Sequence, residues 1–216
     1  MQFSLSLRKF LFKRKMDTMN LLHNIPVSSA VLKSFLSNLK YPKNKISDMG
    51  KNGELIRLKK DLYVYSKSAI SKELIANHLY GVSYISLETA LAHYGMIPER
   101  VYTVRSMTTK RAKTFTTPLG PFEYKTVSQD YFSIGLQQEI IENQYAFLIA
   151  TPTKAICDMI VSTPNLRLQS VRAMQSYLTE NLRIDFDALK TLDKDVVRQC
   201  IETGKKKTEL GWLSKI

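Results

Sequence analysis

The apolar positions change their period several times along the chain, and each change predicts an element. Residues 17–24 place Met19 and Leu22, with Ile25, on one helical face, and Pro26 ends that segment because proline disfavours helical geometry in the residue before it. Val31, Leu32, Phe35, Leu36 and Leu39 then recur at helical spacing behind Ser28 or Ser29, either of which can cap a second helix. Pro42 opens a third, short helix with Ile46 and Met49 inward, and Asn52-Gly53 is its stop. Residues 53–66, GELIRLKKDLYVYS, switch to period two. Ile56 and Leu58 alternate with Leu55, Arg57 and Lys59, and Leu62 and Val64 alternate with Tyr63 and Tyr65, so a hairpin turns at Lys59-Lys60-Asp61. Three helices followed by a hairpin with a cationic tip is the order of a winged helix-turn-helix.

The remainder alternates strands and helices. Residues 73–81 are helical, and Ser86 is placed to cap a helix with Leu87, Ala90, Leu91 and Tyr94 on one face and Gly95 as its stop. Val101 to Met107 is strand-like, residues 114–127 read as a hairpin turning at Pro118 to Pro121, and Tyr131–Leu136 and Tyr145–Ala150 are further strands. Thr151-Pro152 opens a helix with Ala155, Ile156, Met159 and Ile160 inward. Two more helices follow, one on Leu168, Val171, Met174 and Leu178, the other on Leu189, Leu192, Val196, Cys200 and Ile201, before a polar tail at Lys205–Lys207. The expected fold class is α+β: a winged helix-turn-helix in residues 1–67, with 1–16 a dispensable basic extension, then a mixed α+β domain in 68–216 with a helical C-terminus.

Charge sharpens this division. Residues 1–67 hold 14 Lys+Arg and 4 Asp+Glu, net +10, out of +13 for the 216-residue chain. A basic first third joined to a nearly neutral remainder points to a polyanion-binding module. On the third helix Lys43, Asn44, Lys45, Ser47 and Lys51 lie off the apolar face, as donors for phosphates and base edges in a major groove. Arg57, Lys59 and Lys60 on the wing suit phosphates or the neighbouring minor groove. Double-stranded DNA is favoured over RNA, because Tyr63 and Tyr65 alternate with aliphatics instead of forming a stacking platform. A second basic stretch, RSMTTKRAKTFTT, offers Arg105, Lys110, Arg111 and Lys113 with no acidic residue among them.

Other classes find little support. No apolar run approaches the roughly 20 residues of a membrane span, and the basic residues between 8 and 15 interrupt what would be the apolar stretch of a secretion signal. Met16 and Met19 compete with Met1 as start sites. Cys157 and Cys200 read as buried thiols of a cytoplasmic protein. No glycine-rich phosphate loop is present, and His23, His78 and His93 are scattered without metal-ligand spacing. Asp185 and Asp187 sit at a helix start, where carboxylates suit the helix dipole, and Glu139 and Glu142 fall in a polar connection. The chain is expected to be non-catalytic, without cofactor or metal; a nuclease or base-modifying enzyme would need a carboxylate or metal cluster.

GELIRLKKDLYVYS, YISLETALAHYGMIPERVYTVRS and YAFLIATPTKAICDMI, in that order, are similar to the AbiEi-type antitoxin of AbiE abortive-infection systems, a type IV toxin–antitoxin class. The matching positions are Ser86, Ala90, Leu91, Gly95, Ile97 and Pro98, then Pro152, Lys154, Ala155 and Asp158. The resemblance covers roughly residues 20–165 and leaves 166–216 without a counterpart. It implies a transcriptional regulator that binds its own promoter, with a second domain that neutralises a nucleotidyltransferase-like toxin encoded nearby in phage defence. The family's wing turn carries glycine where this chain has Asp61. The alternative is a protein-interaction module whose winged helix is structural and does not bind DNA.

Overall fold

A computed structural model of the chain describes residues 24–66, 70–141 and 145–216. The fold is mixed α+β. It divides into two compact units: one runs through Leu79 and takes in Thr117–Leu119, and the other comprises Tyr80–Thr116 and Gly120–Ile216. The boundary expected at residue 67 falls on residues 67–69, outside the described residues. The helix expected at 17–24, with Met19 and Leu22, lies outside them as well, except for Asn24.

In the first unit, β1 (Val27–Ser28) leads into α1 (Ser29–Phe35), α2 (Pro42–Lys51) and a hairpin of β2 (Leu55–Lys59) and β3 (Leu62–Tyr65). Helix α3 (Lys72–Tyr80) follows. The strands form an antiparallel sheet of order β1-β3-β2. Ser28 caps α1 by accepting the amide of Val31 at 3.3 Å. Val27, Leu32, Ile46, Met49, Leu55 and Tyr65 make the core, with Ile25, Leu36 and Tyr63 packed against it. Gly53 takes the left-handed conformation (φ 71°) that stops α2.

Two details depart from expectation. Helix α1 ends at Phe35, so Leu39 falls beyond it, and Val31 and Leu39 are each 39% exposed instead of buried. In β2 a bulge between Arg57 and Lys59 resets the alternation, so that Leu55 and Leu58 are buried and Ile56 is only half-buried.

The second unit is built on a six-stranded mixed sheet of order β6-β7-β5-β4-β9-β8. Its strands are β4 (Ser83–Ile85), β5 (Val104–Thr108), β6 (Lys113–Thr117), β7 (Gly120–Thr126), β8 (Leu136–Ile141) and β9 (Tyr145–Ala150). Helices α4 (Leu87–His93) and α6 (Pro152–Ser162) pack on each other and against β5 and β9 respectively. The short α5 (Gln129–Phe132) occupies the start of the segment expected to be a strand; its cap Ser128 and the left-handed Gly135 (φ 58°) confine strand geometry to β8.

The C-terminal region holds α7 (Val171–Ser176), which continues as a wider turn over Tyr177–Asn181, then α8 (Phe186–Leu189), α9 (Lys194–Thr203) and α10 (Lys207–Leu213). The expected helix on Leu189 to Ile201 is split, because Asp193 caps a new start by accepting the amides of Asp195 and Val196. Its buried positions are Val197 and the expected Cys200, while Val196 is only half-buried. The expected polar tail at Lys205–Lys207 leads directly into α10, which begins at Lys207, buries Leu210 and Leu213 and has Trp212 Nε1 donating to the Leu168 carbonyl at 3.1 Å.

Candidate nucleic-acid interface

Helix α2 presents its cations because its only buried side chains are Ile46 and Met49. Lys43, Asn44, Lys45, Ser47 and Lys51 are all exposed. Between α2 and the hairpin runs an open cleft of about 430 Å³, lined among others by Lys43, Ser47, Gly50, Lys51, Arg57 and Tyr63. Positions 43, 47 and 50–51 share one helical face by their spacing. Three cations thus converge on one groove whose described lining contains no carboxylate. Asn44 and Lys45 are exposed but do not line it, so the structure groups only part of the expected helix set.

The hairpin tip is built differently from its expected use. Asp61 adopts a left-handed backbone (φ 62°), the geometry that glycine provides most readily and that Asp tolerates. Its carboxylate accepts the Ser29 hydroxyl at 2.8 Å and its carbonyl accepts the Ser29 amide at 3.1 Å. The tip is therefore fastened to the start of α1, and the acidic charge is held there. Lys59 donates its ammonium to the Leu79 carbonyl, whereas Lys60 is exposed. Arg57 Nε reaches the Lys59 carbonyl at 3.3 Å and remains exposed. Asp61→Ala removes this acceptor and puts a Cβ-bearing residue without a local hydrogen bond in the left-handed region. It is expected to cost about 1–3 kcal/mol in urea unfolding, and Asp61→Gly less, since glycine relieves the backbone part.

The second basic stretch separates into two groups. Arg105 is neutralised within its unit: it is ion-paired to Glu88 and donates through Nε to Glu123 Oε2 at 2.9 Å. The absence of acids along the segment hid this, because β7 and α4 bring the carboxylates from elsewhere in the sequence. Lys110, Arg111 and Lys113 are exposed. Lys110 Nζ donates to the Tyr80 carbonyl at 3.1 Å, and Lys113 lies 4.7 Å from the Phe115 ring centroid. These three, with Tyr80 and Phe115, form a basic surface edged by aromatics on the second unit.

The motif residues of that unit meet in its interior. Lys154 and Asp158, one turn apart on α6, are both fully buried, with Nζ 3.3 Å from Oδ1. Asp158 Oδ2 accepts the Ser86 hydroxyl at 2.6 Å, and Lys154 Nζ donates to the Tyr131 carbonyl at 3.0 Å and lies over the Tyr131 ring. Ser86 therefore does not cap α4 with its side chain as expected; it serves Asp158 instead. Burial, reinforced by the Asp158 charge, pushes the Tyr84 and Tyr131 hydroxyls well up from their ordinary pKa. Cys157 and Cys200 are both buried free thiols. Periodicity marked α6 by its apolar face and gave no sign that Lys154 and Asp158 lie within the core; the spacing of an i, i+4 pair was the available signal.

Among the described residues no group of three or more His, Cys, Asp or Glu could hold a metal ion, and no described helix is long and apolar enough to cross a membrane. Asp185 accepts the Asp187 amide at 2.7 Å, as a helix cap. Neither a family model nor a curated protein matches the chain.

Proposed function

We propose that the first unit is a winged helix-turn-helix that binds double-stranded DNA, and that the chain is an antitoxin-type repressor of its own operon. In this reading it also neutralises a nucleotidyltransferase-like toxin encoded beside it, within a phage abortive-infection system. The observation that supports DNA binding most strongly is the cleft between α2 and the hairpin, where Lys43, Lys51 and Arg57 converge. Cations from a helix and a neighbouring strand, spaced around a groove, suit the uniform charge of a duplex backbone. The helix–helix–hairpin order and the pairing of β1 with β3 support the winged-helix reading. The antitoxin role rests on the sequence resemblance, whose motif residues Ser86, Lys154 and Asp158 form a polar cluster buried in the core of the second unit. In that role they set the unit's shape and do not touch a toxin.

The alternative is a protein-interaction module in which the winged helix is structural. It is favoured by the fastened hairpin tip, since Asp61 is tied to Ser29 and Lys59 to Leu79, which shortens the reach of a wing. A mobility shift with the region upstream of the gene decides between them. A complex that survives excess unrelated duplex is expected; equal competition by any duplex, or no complex, would reject the autoregulator.

The surface of Lys110, Arg111 and Lys113 adds a second DNA contact in this proposal. Replacing all three by Gln is expected to weaken promoter binding and leave toxin rescue intact when the genes are co-expressed. The reverse pattern would assign this surface to the toxin.

A further inference from the structure

The two edges of the six-stranded sheet are constructed unlike one another. At one edge β6, KTFTT, carries the exposed Lys113 and is followed by Pro118, which are devices that discourage a further strand from pairing. At the other, β8 is the outermost strand among the described residues and has neither. Its sequence, LQQEII, contains no Lys, Pro or Gly, and its register against β9 runs without a bulge from Leu136↔Ala150 to Ile141↔Tyr145. One row of its backbone N–H and C=O groups has no strand partner among the described residues.

The side chains of β8 divide by face. Gln137 donates to the Tyr94 hydroxyl at 2.9 Å, and Glu139 lies 4.0 Å from His93, so the odd-numbered positions are engaged on the α4 side of the sheet. Leu136, Gln138 and Ile140 point to the opposite face, where Ile140 is 62% exposed. An edge without lysine, proline or bulge, whose one charge (Glu139) lies on the α4 side beside His93 and whose other face carries an exposed isoleucine, is open to a pairing strand and is what a monomer ordinarily avoids.

We infer that β8 is a homodimer interface, on which a second copy of this chain adds its own β8 antiparallel across a two-fold axis. The occupant follows from self-complementarity. A two-fold axis normal to the sheet must set residues of the same face opposite each other, so it can centre on Gln138 or on Glu139. Centring on Glu139 opposes two carboxylates. Centring on Gln138 pairs Leu136 with Ile140 of the other copy, Gln137 with Glu139, and Gln138 with itself through an amide–amide contact. No like charges meet in that register, and backbone hydrogen bonds complete a twelve-stranded sheet. The edge is only six residues long, so the contact sits at the small, weak end of protein interfaces. Dimerisation through β8 requires no DNA.

Because Gln138 faces its own copy, charge at this position tests both partner and register. Sedimentation velocity on the full chain up to ~100 μM should show a concentration-dependent dimer. Gln138→Lys and Gln138→Glu, each with an unchanged circular dichroism spectrum and melting temperature, should each raise the dissociation constant roughly tenfold or more through like-charge opposition. An equimolar mixture of the two variants should regain the dimer. A strictly monomeric chain would overturn the inference and leave the edge to residues outside the described ones or to a different protein. A dimer indifferent to position 138, or one that mixing does not restore, would overturn it equally.

Discussion

Asp158→Asn is expected to lower stability by about 3–5 kcal/mol in urea unfolding, because it removes one charge of a buried pair and leaves the other. Lys154 and Asp158 are both fully buried, so bulk water cannot compensate the ammonium. Asparagine keeps an oxygen for the Ser86 hydroxyl, which isolates the loss of charge from the loss of shape. Lys154 would retain the Tyr131 carbonyl and ring, which are dipolar partners and not a counter-charge. A loss of that size is a large share of a typical domain's stability and would appear in cells as poor accumulation. The double variant Lys154→Met with Asp158→Asn should be less damaged than the sum of the two single changes, since it leaves no unpaired charge. Additive losses, or a single-variant cost under about 1 kcal/mol, would show that the pair is not coupled as its geometry implies.

Replacing Lys43, Lys51 and Arg57 together by Ala is expected to weaken promoter binding roughly hundredfold or more and to flatten its salt dependence. Each phosphate contact contributes about 0.9 to the slope of log affinity against log salt, so three should remove about 2.7. These side chains line the cleft and contribute little to the core, so the melting temperature should move little. The matched control is Lys190, Lys194 and Lys207 to Ala, which changes net charge equally from exposed positions on the second unit. Equal effects of the two triple variants would mean that overall charge, and not the cleft, governs binding.

Much of the first unit was legible in the sequence because its signals are local. Pro42 at the start of α2, Ile46 and Met49 on one face and Asn52-Gly53 at its end each act within a turn of the chain. The bulge at Arg57–Lys59 was not legible, since it depends on how β2 meets β3. Long-range partners explain the other differences. Arg105 carries no acidic neighbour in sequence, and its two carboxylates arrive from α4 and β7. Ser86 had the position of a helix cap, yet an aspartate 72 residues away takes its hydroxyl. At the tip, Asp61 departs from glycine in identity while keeping the left-handed backbone that glycine would supply. The candidate site was thus readable as a set of cations and polar donors, and only the fold divides it into Lys43, Ser47, Lys51 and Arg57 around the cleft and Asn44, Lys45, Lys59 and Lys60 elsewhere.

Lysine acetylation footprinting of the full chain with and without its promoter duplex, read by mass spectrometry, shows whether the cleft of the first unit holds DNA. The duplex is expected to protect Lys43 and Lys51 strongly, to protect Lys110 and Lys113 as a second patch, and to leave Lys190, Lys194 and Lys207 as reactive as in the free chain. Unchanged reactivity at Lys43 and Lys51 in a saturated complex would contradict DNA binding in the cleft.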